Sequence, residues 1–430
     1  MSFDAPVSNP QRIAIIGAGI SGLAAAYELA PHHAVTLYEA EPRLGGHART
    51  VVAGKRGDQP VDTGFIVFNY ANYPNLTRMF QALDVPVKKS DMSFGASIDG
   101  GAMEYGLRSL DALFAQRGNI ARPQFLRMVR DILRFNAKAE AAATSDDVTI
   151  GDLVDNLGLG DWFERYYLMP ICGAIWSTPP SEIRAFPAKS LVAFFRNHAL
   201  LSATGQHQWW TVDGGSIEYV RRLADHLKTR GVALRPGTPV KSVERQLGSV
   251  TIHAENCAPE VFDQVIFAAH SDDALRLIAK PTEAERAALG NLNYQDNLVI
   301  LHRDPAQMPR RKAAWSSWVY KADGAGEETK IGVSYWMNRL QGIPEDDPLF
   351  ITLNPVGEIP EHLTYDEVTF RHPVFDRAAL SAQTALNAIQ GQNNTWFAGA
   401  YLRHGFHEDG FASAVRVARA MKPQEALLAA

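Results

Sequence analysis

The stretch Ile13-Ala14-Ile15-Ile16-Gly17-Ala18-Gly19-Ile20-Ser21-Gly22 decides the fold. Four consecutive apolar residues read as a buried strand, and the glycines that follow read as a tight turn into a helix beginning near Ser21. A helix N-terminus offers free N–H groups and the positive end of its dipole, which suit a pyrophosphate. Gly17 permits the turn, Gly19 lets a phosphate approach the backbone, and Gly22 lets the helix pack on the strand. Ala18, Ile20 and Ser21 complete the phosphate-facing turn. A glycine fingerprint alone is weak. Here a second strand, Ala34-Val35-Thr36-Leu37-Tyr38, ends at Glu39-Ala40, about twenty residues on, where an acid can hold a ribose hydroxyl.

Working outward, the 430 residues exceed one simple core, so two domains are expected. Composition is that of a globular protein, 46% hydrophobic and 21% charged, and the net charge of −5 argues against a nucleic-acid partner. Cys172 and Cys257 lie far apart, which removes a disulfide framework and a redox-active dithiol. No apolar run is long enough to span a membrane, and the N-terminus lacks a signal peptide's pattern. A cytoplasmic protein is expected, with peripheral contact on the inner face of the cytoplasmic membrane left open.

Strand and helix patterns place one domain at 11–70, 209–290 and 391–425, interrupted by a second at 71–208 and 291–390. Residues 71–208 read as mostly helical, with Phe125, Met128, Val129, Ile132, Leu133 and Phe135 at helical spacing between Gln124 and Ala143. Residues 291–380 alternate and are rich in tryptophan and tyrosine, which suggests an antiparallel sheet.

Together, GAGISG (17–22), EAEPRLGGHART (39–50), WTVDGGS (210–216), TPVKSVE (238–244), VIFAAH (265–270) and FAGAYLRHGFHEDG (397–410) resemble the flavin-containing amine oxidase and phytoene desaturase superfamily. The resemblance implies an α/β fold: an FAD-binding Rossmann-like domain of glutathione-reductase type with an inserted mixed α+β substrate domain built on an antiparallel sheet. It implies FAD in the glycine turn, with Arg43, Gly45 and Gly46 around the diphosphate. Val240 would present backbone atoms to the adenine, and Gly399 and the helix near Gly410 would approach the isoalloxazine. It extends the cofactor set to His47, Thr63, Gly64, Phe65, Ala269, Ala400, Glu408, Asp409 and Phe411. A glycine pair with an arginine is sensible for a dianionic diphosphate, which needs N–H donors and a counter-charge.

VDTGFIVFNYANYPNLTRMF (61–80), SDMSF (90–94), SYWMNRLQ (334–341) and ITLNP (351–355) are similar to a narrower branch. That branch holds the N-terminal flavin domain of plant cyclopropane fatty acid synthases and the bacterial methyl-fatty-acyl desaturase of furan fatty acid formation. It implies dehydrogenation of a methylated unsaturated acyl chain on a membrane phospholipid, with a lipid methyltransferase as partner. An amine oxidase, a fatty acid double-bond isomerase and a non-enzymatic FAD-bound partner are the alternatives. No cysteine follows Cys257, so FAD is expected to be non-covalent, and Ala400-Tyr401 stands where amine oxidases place a glutamate.

The loop His404-Gly405-Phe406-His407-Glu408-Asp409-Gly410 concentrates two histidines and two acids before a helix. In the flavin reading, His404 and His407 are the catalytic candidates, because histidine exchanges protons near neutral pH. As metal ligands they lack a third partner, and no metal is expected. His198 reads more simply as a core histidine and Lys189 as a surface lysine. Trp315, Trp318, Tyr320, Tyr335 and Trp336 read first as core, although an aromatic sheet would also suit an acyl chain. Arg117, Arg122, Arg127, Arg130, Arg134 and Lys138 crowd a 108–138 stretch that is either a solvated basic face or a contact with anionic lipid.

Overall fold

The computed structural model describes residues 10–145, 147–176, 183–197, 207–323 and 330–421. Arg12–Ile16 (β1) pairs in parallel with Ala34–Tyr38 (β2) on one side and Gln264–Phe267 on the other. Ala233–Arg235 adds outside β2, and Thr395–Phe397 outside Gln264–Phe267, which closes a five-stranded parallel sheet. Both faces of β1 are covered, so its apolar run does not alternate, and Ile13–Ile16 are all buried. The helix α1 (Ile20–Leu29) packs directly on this sheet. Gly17 has φ +101°, and a Cβ built on Gly22 would stand 1.8 Å from Gly17 O, so both positions exclude a side chain. A three-stranded antiparallel meander, Val240–Gln246, Ser249–Ala254 and Glu260–Phe262, precedes the fourth parallel strand.

The second sheet has seven strands in the order Thr364–Pro373, Tyr294–His302, Phe350–Leu353, Lys330–Trp336, Trp318–Asp323, Phe94–Ile98, Met103–Gly106. Every neighbouring pair is antiparallel except Trp318–Asp323 with Phe94–Ile98, which is parallel. Its last two strands come from the stretch that the sequence reads as mostly helical. Helices at 123–142, 150–156, 169–176 and 188–197 bury Phe125, Phe135, Leu153, Cys172 and Phe195 in one cluster with Ala96, Tyr105 and Tyr320 of the sheet. Burial pushes the Cys172 thiol up and keeps it protonated. The alternation splits the aromatic set. Trp318 and Tyr335 stack edge-to-face at 5.4 Å on one side, while Trp315 and Trp336 meet at 5.2 Å on the other. No helix among the described residues is long and apolar enough to cross a membrane.

Asp62 ties the pieces together from a fully buried position. Its carboxylate accepts from Thr50 Oγ1 (2.6 Å), Ser216 Oγ (2.7 Å), Ser216 N (2.8 Å) and Gln341 Nε2 (3.0 Å). Gln341 Oε1 in turn accepts from Asp62 N at 2.9 Å, so one side chain just beyond the helix Met337–Leu340 reads both ends of this residue. Burial raises the Asp62 pKa to about 6, against the lowering effect of the Thr50 and Ser216 hydrogen bonds.

Two outcomes follow for stability. Gly22→Ala forces α1 off β1 and should lower unfolding free energy by about 3 kcal/mol in urea titrations. Asp62→Asn places an amide N–H against existing donors and should cost about 1–3 kcal/mol at neutral pH. The folded wild type binds the Asp62 proton more tightly than the unfolded chain, so this group adds stability as pH falls from about 6 toward 3.8. The asparagine variant lacks that gain, and its deficit should therefore widen between neutral pH and pH ~4.

Candidate active site

One cavity of about 1590 Å³ runs from the carboxyl ends of the parallel sheet to the seven-stranded sheet. Ligand pockets for one small molecule fall near 300–1,000 Å³, so this volume accommodates a dinucleotide and a second molecule together.

The end at the parallel sheet is built for a dinucleotide diphosphate. Gly17, Gly19, Ile20 and Ser21 line it, and the first turn of α1 has no acidic residue and no side-chain cap. A Cβ built on Gly19 meets nothing within 4 Å, which leaves open space beside the free N–H groups. Gly46 closes the other side with φ +55°; a Cβ there would approach Gly19 Cα to 3.0 Å. Arg43 lines the same space, held by its Nη1 donating to Gly46 O at 2.9 Å. Glu39 is oriented by Ala18 N (2.6 Å) and Glu41 N (2.9 Å), and Ala40 and Val240 continue the wall. Ala18 itself, Gly22 and Gly45 stand behind the surface: Gly45 N donates to Ala18 O at 2.8 Å, fixing the two loops together.

His47, Thr63, Gly64, Phe65, Ala269, Gly399 and Ala400 line the middle of the cavity. A Cβ on Gly64 would fall 2.0 Å from His47 O, so these two loops interlock through backbone alone. His47 is half-buried, and its buried Nε2 is unpartnered, a polar atom with a hydrogen bond to give or take toward a bound group. Its ring lies 5.8 Å from His270, 5.6 Å from His372 and 4.6 Å from Phe370. Burial comes first in holding this trio neutral: His47 falls well below its usual pKa, helped by His372 and His270, His372 falls to about 4, helped by His270, and His270 is lowered, helped by the Arg371 guanidinium. His270 and Tyr401 lie within the stretches VIFAAH and FAGAYLRHGFHEDG, which assign them no site role, and His372 lies in none of the motif stretches. Tyr401 lines the cavity with a buried, unpartnered hydroxyl.

The loop before the last helix (His407–Ala420) is divided. His407 lines the cavity, stacked on Phe65 at 3.9 Å, with Nε2 2.6 Å from Tyr219 Oη. Burial lowers its pKa to about 3, so it is a neutral imidazole. His404 does not line the cavity; its backbone N–H points to Asp409 Oδ2 at 3.3 Å. Glu408 and Asp409 also stand apart from the wall, because backbone donors use their oxygens. Glu408 accepts from Asn75 N and Leu76 N, both at 3.0 Å, and so caps the helix Pro74–Ala82; Asp409 accepts from Phe406 N at 3.0 Å. Gly410 and Phe411 are packing residues: a Cβ on Gly410 would meet Ser21 Oγ at 2.8 Å, and Phe411 is wholly buried.

Beyond these groups the cavity becomes apolar, lined by Ile132, Leu133, Tyr167, Ile171, Trp318, Tyr335, Leu340, Ile351 and Leu353. Asp91 borders it, held by Ser93 Oγ (2.7 Å), Ser317 Oγ (2.6 Å) and Arg339 (3.5 Å). His198 lies outside the described residues, and Lys189 is exposed and away from the wall. Neither cysteine lines the cavity. Among the described residues, His270, Asp272 and Asp273 are the group close enough to share a metal, and Arg371 already bonds both acids.

The family described as flavin containing amine oxidoreductase matches residues 20–342. An L-amino-acid oxidase of Sistrurus catenatus edwardsii is 59% identical over 44 residues, which is 10% of this chain and only 8% of that protein. The architecture is shared with the CLA-producing fatty acid isomerase from P. acnes (TM-score 0.69, 16% identity, 97% of this chain and 100% of that one). Cyclohexylamine oxidase from Brevibacterium oxydans IH-35A is alike to the same degree (TM-score 0.69, 15% identity, 96% and 98%). With three quarters of its length matched and a groove suited to a dinucleotide diphosphate, the chain belongs to the flavin-containing amine oxidoreductase family, and FAD is its cofactor.

Proposed function

We propose that this protein is an FAD-dependent oxidoreductase that dehydrogenates an acyl chain, a methylated unsaturated fatty acid carried on a phospholipid. The observation that carries the reading is the apolar arm joined directly to the cofactor groove. Its wall of isoleucine, leucine, tryptophan and tyrosine buries methylenes, each worth about 0.8 kcal/mol. A cationic amine would instead have to shed its hydration there, and the neighbouring carboxylate, Asp91, already has Arg339 and two hydroxyls as partners. An upstream methyltransferase acting on unsaturated acyl chains would supply the substrate.

Bound FAD supplies a two-electron acceptor for hydride from an activated allylic carbon. The chain's own task is to hold the acyl segment against it, exclude water, and take up the accompanying proton. His407 is the candidate acceptor. That role requires the tautomer whose Nε2–H donates to Tyr219 Oη, leaving Nδ1 to receive the proton. Burial keeps the Tyr219 hydroxyl protonated, so this contact persists across the working range. His404, half-buried beside Asp409, tunes the loop rather than the wall.

Anaerobic addition of phospholipids bearing methylated unsaturated chains should bleach the flavin, while polyamines and aromatic amines should leave it oxidised. Bleaching by amines alone would replace this reading with amine oxidation, and lipid conversion without an electron acceptor would replace it with isomerisation. Tyr219→Phe should slow flavin reduction about fivefold with unchanged flavin content, since it removes one hydrogen bond worth about 1 kcal/mol. A base with a pKa near 3 loses activity only as pH falls through that value, so His407 should contribute no step to the rate between pH ~5 and ~9. Arg43→Ala should weaken FAD retention about tenfold to a hundredfold in dialysis, the effect of losing one charged hydrogen bond.

A further inference from the structure

Nine large apolar side chains are exposed among the described residues, and five of them, Leu107, Leu110, Ile120, Leu126 and Leu133, fall in one short segment. The helix Pro123–Ala142 turns Phe125, Met128, Phe135 and Ala139 inward, so Leu126, Arg130, Leu133 and Ala137 share its outward face. Leu133 is 57% exposed and Leu110 76%, far more than a helix packed against protein on that side would leave.

The same surface is basic. Arg108, Arg122, Arg127, Arg134 and Lys138 are exposed and hold no ion pair among the described residues. Arg117 pairs with Asp111, and Arg130 leans on Asp131 while remaining 64% exposed. Between 107 and 138 there are seven basic side chains against two acidic ones, in a chain whose net charge is −5. Leucines interleaved with arginines complement an anionic lipid surface, where the layer of headgroup phosphates attracts the cations and the apolar side chains enter below it.

This surface is continuous with the site. Leu107, Arg108 and Leu133, all exposed, also line the cavity, next to Ile132 and Asn136. We propose that the outward face of 107–138 docks on an anionic phospholipid bilayer, and that the acyl chain enters the apolar arm from the lipid between Leu107 and Leu133. The proposal rests on the acyl-chain reading for what enters, but the docking itself can be measured without turnover.

The test uses the FAD-loaded protein in flotation with vesicles of phosphatidylcholine alone or mixed equally with phosphatidylglycerol. Wild type should float with the mixed vesicles and not the neutral ones, and high salt should release it. Arg127→Glu/Arg134→Glu and Leu110→Ser/Leu126→Ser, all at exposed positions away from the cavity wall, should each weaken partition at least tenfold while melting like wild type. Both variants should keep the wild-type rate on detergent-dispersed lipid and lose it on vesicles. Absence of flotation, equal flotation with neutral vesicles, variants that bind like wild type, or a dimer broken by these substitutions would overturn the proposal. Vesicle binding without flavin bleaching by any lipid would defeat the dehydrogenation reading and leave the docking surface standing.

Discussion

The Asp62 carboxylate, sealed from water, receives hydrogen bonds from the strand before it, from the turn at Ser216 and from Gln341 just beyond the helix Met337–Leu340. Three segments thus converge on one charge, each through its own direct hydrogen bond. Such a network specifies a unique arrangement because a partial one leaves buried groups unpaired, at about 1–3 kcal/mol each. The loops that carry Gly45–Gly46 and Thr63–Phe65 flank this knot. The cofactor groove takes its shape from it, and the apolar arm takes its position.

Around that knot the site is built from close backbone approaches more than from side chains. Gly17 on Ala268, Gly22 on Gly17, Gly46 on Gly19 and Gly64 on His47 O are all contacts that a Cβ would prevent. The imidazoles that reach the middle of the cavity are neutral, His47, His372 and His407 because burial disfavours their charged forms. Arg43 brings positive charge to the diphosphate end.

Much of this was legible in the sequence, for a physical reason. Strands buried on both faces are continuous apolar runs, and Ile13–Ile16 and Val265–Phe267 announce themselves without any knowledge of their partners. Phe94–Ile98 and Met103–Gly106 do not, since each carries a glycine that dilutes the strand pattern. Those glycines answer to tertiary neighbours: a Cβ on Gly95 would meet Ala314 O at 2.7 Å, and one on Gly106 would meet Ser316 Oγ at 3.0 Å. Leu133 fits the helical period of a core residue yet lies outward, because the cavity opens where that face would otherwise be covered. In the loop 404–410 the residue types suggest chemistry, but which carboxylate is free depends on nearby backbone N–H groups. Glu408 is claimed by a helix more than three hundred residues earlier in the chain. His270, His372 and Tyr401 gather only through the fold.

The parallel sheet also has a consequence for how the protein is made. β1 is far in sequence from one of its two partners, Gln264–Phe267, and the sheet is completed only by Thr395–Phe397. The helix that crosses α1 at Gly410 comes later still. Until Gln264–Phe267 has been synthesised, Ile13–Ile16 lacks one of its two neighbours, and such unpaired apolar edges invite association with other chains. The phosphate-binding turn is synthesised well before Gly399 and Ala400, which line the same compartment. A groove assembled from such distant segments reaches its full lining only when the later ones have docked.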